Sequence, residues 1–235
     1  ATSVRRLRLA SIVGFGCVLL SVIPPCFSQD LPKGFVYLHQ IDRTIVEDMR
    51  YATGNNFVGR PLKGYNAPSC VLVEEAATAL ASLQDEVRQS GLTIVVFDCY
   101  RPTSAVADIF AFVSEKDQPD LQFHPNLRAS QLMSGGYIAR RSGHSSGGTV
   151  DLTLARVNSQ EFVLLDMGTG FDYFDPLSHS DSRAVSKTAQ NNRRLLIKVL
   201  DRAGFSNYAK EWWHFRFRDE PFKGTAFDFP ITGNR

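Results

Sequence analysis

The chain has 235 residues, 43% of them hydrophobic and 21% charged, which suits one sizeable core and excludes a low-complexity or disordered chain. Of its 26 basic residues, Arg5, Arg6 and Arg8 fall in the first 28 positions, where there is no acid, so the rest carries 23 basic against 24 acidic residues. A nearly neutral body offers no electrostatic case for nucleic acid or an anionic membrane surface, and a small molecule is the expected partner.

Arg5, Arg6 and Arg8 precede an uncharged apolar run from Leu9 to Ile23, followed by Pro24, Pro25, Cys26 and Ser28. This reads as a secretory signal peptide over residues 1–28, with the mature domain over 29–235 in the periplasm or outside the cell. The apolar run of 15 residues is shorter than the roughly 20 a spanning helix needs, so no stable membrane association is expected after cleavage. A lipid anchor on Cys17 or Cys26 is a third reading. Export would leave only Cys70 and Cys99, in an oxidising compartment, as either a disulfide or two separate thiols.

Gly34–Gly64, rich in aromatics, Gly and Asn, reads as a short strand and a structured loop without helical period. Ala77, Leu80, Leu83 and Val87 recur at helical spacing within Glu74–Gln89, with two acids at the start and Gly91 beyond the end. Leu92–Phe97 predicts a buried strand, and Pro102 opens a second helix over about Thr103–Ser114. Residues 115–143 allow at most one short helix. Thr149–Val157 alternates as a half-buried strand does, with Asp151 and Thr153 on the polar face. A long helix is predicted over Ser186–Ala203, capped by Ser186 and stopped by Gly204, before a last strand around Trp213–Arg218. Without regular βαβ repetition or a phosphate loop, the pattern indicates a single α+β domain with a mainly antiparallel sheet.

Three segments carry chemistry. In Ser142–Asp151 a histidine, His144, sits in a glycine-rich loop, and Asp151 follows on the non-core face of a strand, so imidazole and carboxylate can meet in front of the sheet. Glu211-Trp212-Trp213-His214 adds a carboxylate and an imidazole three apart. An open catalytic zinc needs three protein ligands and a base beside the attacking water. His144, Asp151 and His214 would be the ligands and Glu211 the base, which requires Glu211 to lie in a bend before the strand, since residues 211 and 214 of a regular strand face opposite sides. Taken alone, each segment also reads as ordinary loop, surface or packing residues. Arg101, at the end of a buried strand, is placed to stabilise an oxyanion, although by itself a salt bridge with Asp98 is the plainer reading. His39, His124 and His179 read as surface or structural residues.

Met49–Phe57, Asp98–Pro102, His144–Asp151, Phe171-Asp172 and Glu211–His214, in this order, resemble the D-alanyl-D-alanine dipeptidases of the type found in vancomycin resistance, within the wider D-Ala-D-Ala metallopeptidase and hedgehog-like fold group. The resemblance runs from about Gly34 to Pro230. It implies one zinc ion per chain on His144, Asp151 and His214, Glu211 as general base and then acid, and Arg101 as stabiliser of the transition state. It further implies Tyr51 and Asp172 near the substrate ammonium and Ser142 in contact with substrate. The family usually has alanine where this chain has Thr149, a change in the packing behind the metal loop that leaves every ligand in place. The expected activity is hydrolysis of D-alanyl-D-alanine to two D-alanines, in cell-wall metabolism. The alternatives are a peptidoglycan D,D- or L,D-carboxypeptidase with the same zinc site, and a non-catalytic zinc-binding module of hedgehog type. Glu211 argues against the last, because a site that only binds needs no base.

Overall fold

The computed structural model describes residues 30–115, 117–158 and 161–233; the expected signal segment lies outside them. The strands are β1 (Phe35–Tyr37), β2 (Val46–Glu47), β3 (Val71–Val73), β4 (Leu92–Asp98), β5 (Thr149–Val157), β6 (Phe162–Leu164), β7 (Phe205–Asn207) and β8 (His214–Phe217). The α-helices are α1 (Leu38–Ile41), α2 (Glu74–Arg88), α3 (Thr103–Glu115), α4 (Gln131–Ser134) and α5 (Lys187–Arg202). Strands β2, β4, β5, β8 and β7 form one sheet in that order, with β6 also paired to β5, while β1 and β3 make a separate antiparallel pair. Only β2 and β4 run parallel in the larger sheet, so the expected α+β domain with a mainly antiparallel sheet is what forms.

The sheet centre is dry. Every residue of β4 is buried, and so are Thr149–Ala155 of β5. The half-buried reading of β5 is thereby corrected: its polar face is buried too, with Asp151 lining the site cavity, and alternation marked polarity rather than exposure. Helix α2 lays Ala77, Leu80, Leu83 and Val87 into the core, as its spacing predicts. Gln84 on the same face is fully buried yet satisfied, donating to Thr44 O and Thr93 Oγ1 and accepting from Ile94 N. Helix α5 starts where Ser186 predicts, the hydroxyl accepting from Ala189 N at 3.0 Å.

Differences from expectation fall in the short elements. Gly34–Gly64 holds not only a strand and loop but also the four-residue α1, the two-residue β2 and a 3₁₀ turn at Arg50–Ala52. Such elements are too short to show a period, and long-range contacts hold them: Asp48 N donates to Val96 O of β4.

Strand register does most to position the site. On one side of β5, Asp151 stands opposite Asp98 of β4, after a bulge between Val96 and Asp98; on the other it stands opposite His214 of β8. A carboxylate, a second carboxylate and an imidazole thus lie in one row across three strands. Cys70, just before β3, is disulfide-bonded to Cys99, just after β4, which settles the two readings of these cysteines. The bond closes a loop of 29 residues and on chain-entropy grounds contributes about 3 to 4 kcal/mol. We expect a Cys70→Ala/Cys99→Ala double variant to lose stability of that order in urea unfolding against the oxidised parent; coincident unfolding curves would show that the bond contributes nothing.

Candidate metal and substrate site

The loop before β5 is shaped by close contacts. Ser142 caps a 3₁₀ turn, Gly143–Ser146, its Oγ accepting from His144 N at 3.2 Å. Gly147 has φ +82°, and a Cβ there would lie 2.3 Å from the Phe35 ring; one on Gly148 would lie 2.1 Å from the Glu220 carboxylate. The buried Glu220 in turn accepts from Ser146 Oγ at 2.7 Å and from Arg216 Nε at 2.8 Å. These contacts explain the two glycines. Thr149, where alanine is the usual family residue, is fully buried with its hydroxyl unpartnered among the described residues, and it packs against Gly143. With this threonine in place, one ligand atom from each of His144, Asp151 and His214 lies within 4.8 Å of the others.

His144 Nδ1 lies 2.7 Å from the Cys99 carbonyl. A carbonyl only accepts, so Nδ1 carries the proton and Nε2 turns its lone pair into the cavity. There Nε2 lies 3.3 Å from Asp151 Oδ2 and 3.3 Å from His214 Nδ1, which is 3.0 Å from Asp151 Oδ1. Asp151 Oδ1 is nevertheless buried without an aligned hydrogen bond. Three lone-pair donors, all within 4.8 Å of one another and paired poorly among themselves, suit a shared cation better than mutual hydrogen bonding. Two imidazoles and a carboxylate are borderline donors that fit zinc. Burial would raise the Asp151 pKa, but the two imidazoles outweigh it and hold the carboxyl well below the usual range. Burial lowers that of His214, which Asp151 only partly offsets.

Glu211 sits in the expected bend. Its amide donates to Tyr208 O, and His214 N donates back to Glu211 O at 3.2 Å, so residues 211 and 214 turn to the same side. The buried carboxylate places Oε2 3.6 Å from His214 Nδ1. Burial, with Asp151 and Asp172 nearby, pushes its pKa well above the usual carboxylate value.

Arg101 makes the salt bridge with Asp98 that the sequence suggested. Its Nε donates to Asp98 Oδ2 at 2.9 Å and its Nη2 lies 2.8 Å from the same oxygen, yet the group also lines the cavity, 3.7 Å from Asp151 and 4.7 Å above the Tyr51 ring. Tyr65 completes the anchor, donating to Asp98 Oδ1 at 2.6 Å. Opposite, Tyr51 donates to Asp172 Oδ2 at 2.8 Å. Asp172 has φ +58°, the sole non-glycine with positive φ among the described residues, a conformation that costs about 1–3 kcal/mol and persists only when its surroundings impose it. Burial first, then Asp151, raises its pKa well above the usual value.

His144, Asp151, His214, Glu211, Arg101, Tyr51, Ser142 and Asp172 therefore all line one cavity of about 290 Å³. The other histidines stay outside: His124 Nδ1 bonds the Leu127 carbonyl, His179 Nε2 the Tyr137 hydroxyl, and His39 lies 3.6 Å from Glu47. Sequence reasoning missed the walls at Tyr137, Phe174 and Tyr208 and the anchoring role of Tyr65, while Phe57 and Trp213 lie in segments it singled out without giving them a place in the cavity wall. Isolated aromatics carry no spacing signal, and nothing in the sequence joins the first four.

With the geometry in place, comparison with known proteins is informative. A family model described as D-ala-D-ala dipeptidase matches residues 32–232. A D-alanyl-D-alanine dipeptidase of Streptomyces coelicolor is 38% identical over 84% of this chain and 98% of its own length. One of Enterococcus faecium is 35% identical over 84% and 98%, and one of Enterococcus faecalis 34% identical over 86% and 100%. Matched along nearly its whole described length, the chain belongs to the D-Ala-D-Ala dipeptidase family.

Proposed function

We propose that the protein is a zinc dipeptidase that hydrolyses D-alanyl-D-alanine to two D-alanines. The observation that carries this reading is the convergence of His144, Asp151 and His214 on one point, with the Glu211 carboxylate beside it in a small cavity that has a second buried carboxylate, Asp172, in its wall. The relatives' activity supports it. Zinc held by His144 Nε2, Asp151 and His214 Nδ1 would supply Lewis-acid polarisation and lower the pKa of a water.

The chain's own residues do the rest. Glu211 takes the proton from the attacking water and delivers it to the leaving amine; a carboxyl with a raised pKa suits both halves of that task. Arg101, fixed by Asp98, points its charge at the oxyanion that forms on the peptide carbonyl. Asp172, oriented by Tyr51, takes the substrate ammonium, and Ser142, on the rim beside His144, contacts the substrate. Export is part of the proposal, supported by the Arg5–Ser28 pattern and the disulfide. No helix among the described residues is long and apolar enough to cross a membrane. N-terminal sequencing of exported protein should find a chain that starts near residue 29; one starting at residue 1 in the membrane fraction would overturn it.

Two further outcomes are expected. His144→Ala, Asp151→Ala and His214→Ala should each lose zinc, measured by elemental analysis, whereas Glu211→Ala should keep zinc and lose turnover by on the order of 10²–10⁴; equal zinc loss in the Glu211 variant would make it a fourth ligand of a structural site. The wild type should cleave free D-Ala-D-Ala and fail on N-acetyl-D-Ala-D-Ala, because blocking the amine leaves Asp172 buried and unpaired at a cost of about 3 to 5 kcal/mol, roughly two to four powers of ten in rate. Comparable rates on both would refute the ammonium site and favour a carboxypeptidase.

A further inference from the structure

We propose that Arg193, a residue of α5 outside the cavity, is the positioning residue for Asp172, clamping the loop that presents this carboxylate to the substrate ammonium; the inference rests on the role given to Asp172 above. Arg193 is 1% exposed, and its guanidinium bonds backbone carbonyls on both sides of that loop. Nε donates to Met167 O at 2.7 Å, while Nη1 donates to Leu177 O at 2.9 Å and to His179 O at 2.7 Å. Asp172 stands midway along the chain between Met167 and Leu177.

The chemistry of this group is unusual for a core. Burial draws the Arg193 pKa down to about 10, with Asp166 opposing it in part, and the side chain's close partners are neutral carbonyls, where an apolar residue would fill the space at less cost. What an apolar residue lacks is a rigid fork that fixes the spacing of two chain segments. The segment between them holds the backbone strain of Asp172 at φ +58°, which needs such an imposed geometry.

The clamp extends towards the other carboxylate. Arg193 Nη2 lies 3.5 Å from Thr169 Oγ1, which also accepts from Trp212 Nε1 at 2.8 Å, and Trp212 directly follows Glu211. Ser178 Oγ donates to Tyr173 O, so its contact of 2.8 Å with Thr169 uses the threonine proton. One network, buried at Arg193, Ser178 and Trp212 and partly exposed at Thr169, thus ties α5 to the loop of Asp172 and to the turn of Glu211.

Two conservative variants, Arg193→Lys and Thr169→Val, test this in the zinc-loaded, disulfide-bonded protein. For Arg193→Lys, hydrogen exchange of the amides of residues 166–180 should speed up about tenfold while β4 and β5 keep their protection. Its KM for D-Ala-D-Ala should rise about tenfold with kcat changed less than about twofold, and Thr169→Val should shift both readouts the same way by less. Exchange that rises equally in β4, β5 and the loop, or a KM that does not move, would overturn the proposal and leave Arg193 a core residue like any other. A wild type inactive on D-Ala-D-Ala would sink the functional reading instead, and the exchange of residues 166–180 alone would then decide whether Arg193 holds the loop.

Discussion

Three buried carboxyl groups, Asp151, Asp172 and Glu211, line one small cavity, with the buried Asp98 behind it, and the guanidinium of Arg101 is set among them. This surplus of negative charge out of water is the constraint on which the rest of the site depends. Burial raises the pKa of Asp98, Asp172 and Glu211, and Asp151 alone is held down, by its two histidines. Neighbouring carboxylates in a low dielectric repel strongly, so the arrangement is stable in its ionised form only with cations supplied from outside. On the proposed function, a divalent metal at His144, Asp151 and His214 and a substrate ammonium at Asp172 would be two such cations, and a free dipeptide would bring the second itself.

The fold meets this constraint by dividing the work among separate elements. Register across β4, β5 and β8 fixes Asp98, Asp151 and His214 in one row, so these three cannot drift apart without breaking the sheet. Asp98 keeps Arg101 in place, and the Cys99 carbonyl sets the His144 tautomer, beside the disulfide to Cys70. The glycines at 147 and 148 let the His144 loop pack onto Phe35 and Glu220 at distances no side chain permits. Each of these groups is held from behind by a second element, which is what keeps a cavity of like charges from relaxing.

Much of this was legible in the sequence because it lies in local spacing. The long helices, β4 and β5 follow from periodicity and caps, and the five residues read from their own segments line one cavity together with Tyr51, Ser142 and Asp172, which only the family resemblance implied. Even the bend at Glu211 followed from the sequence, since a regular strand would have sent Glu211 and His214 to opposite faces. What was not legible depends on distant parts of the chain. Strands β2, β3, β6 and β7 have two or three residues and exist because a partner strand offers hydrogen bonds. The burial of Thr149 and Thr153, which flank Asp151 two residues away on either side along β5, could not be told from exposure by alternation alone. A polar residue facing the interior and one facing solvent look the same in a sequence.

The same electrostatics connect recognition to chemistry. Burial first, then Asp151 and Asp172, raise the Glu211 pKa, so a cation held against Asp172 would offset part of that upward shift. With the proposed roles of Asp172 and Glu211, a substrate with a free amine would favour the ionised carboxylate that proton abstraction requires, and by reciprocity the ionised carboxylate would favour the cationic substrate. A blocked amine does neither. On the proposed function, specificity for a free dipeptide and readiness of the base would arise from a single balance of charge within a cavity of about 290 Å³ lined in part by aromatic rings, where a lower dielectric than that of water strengthens such interactions.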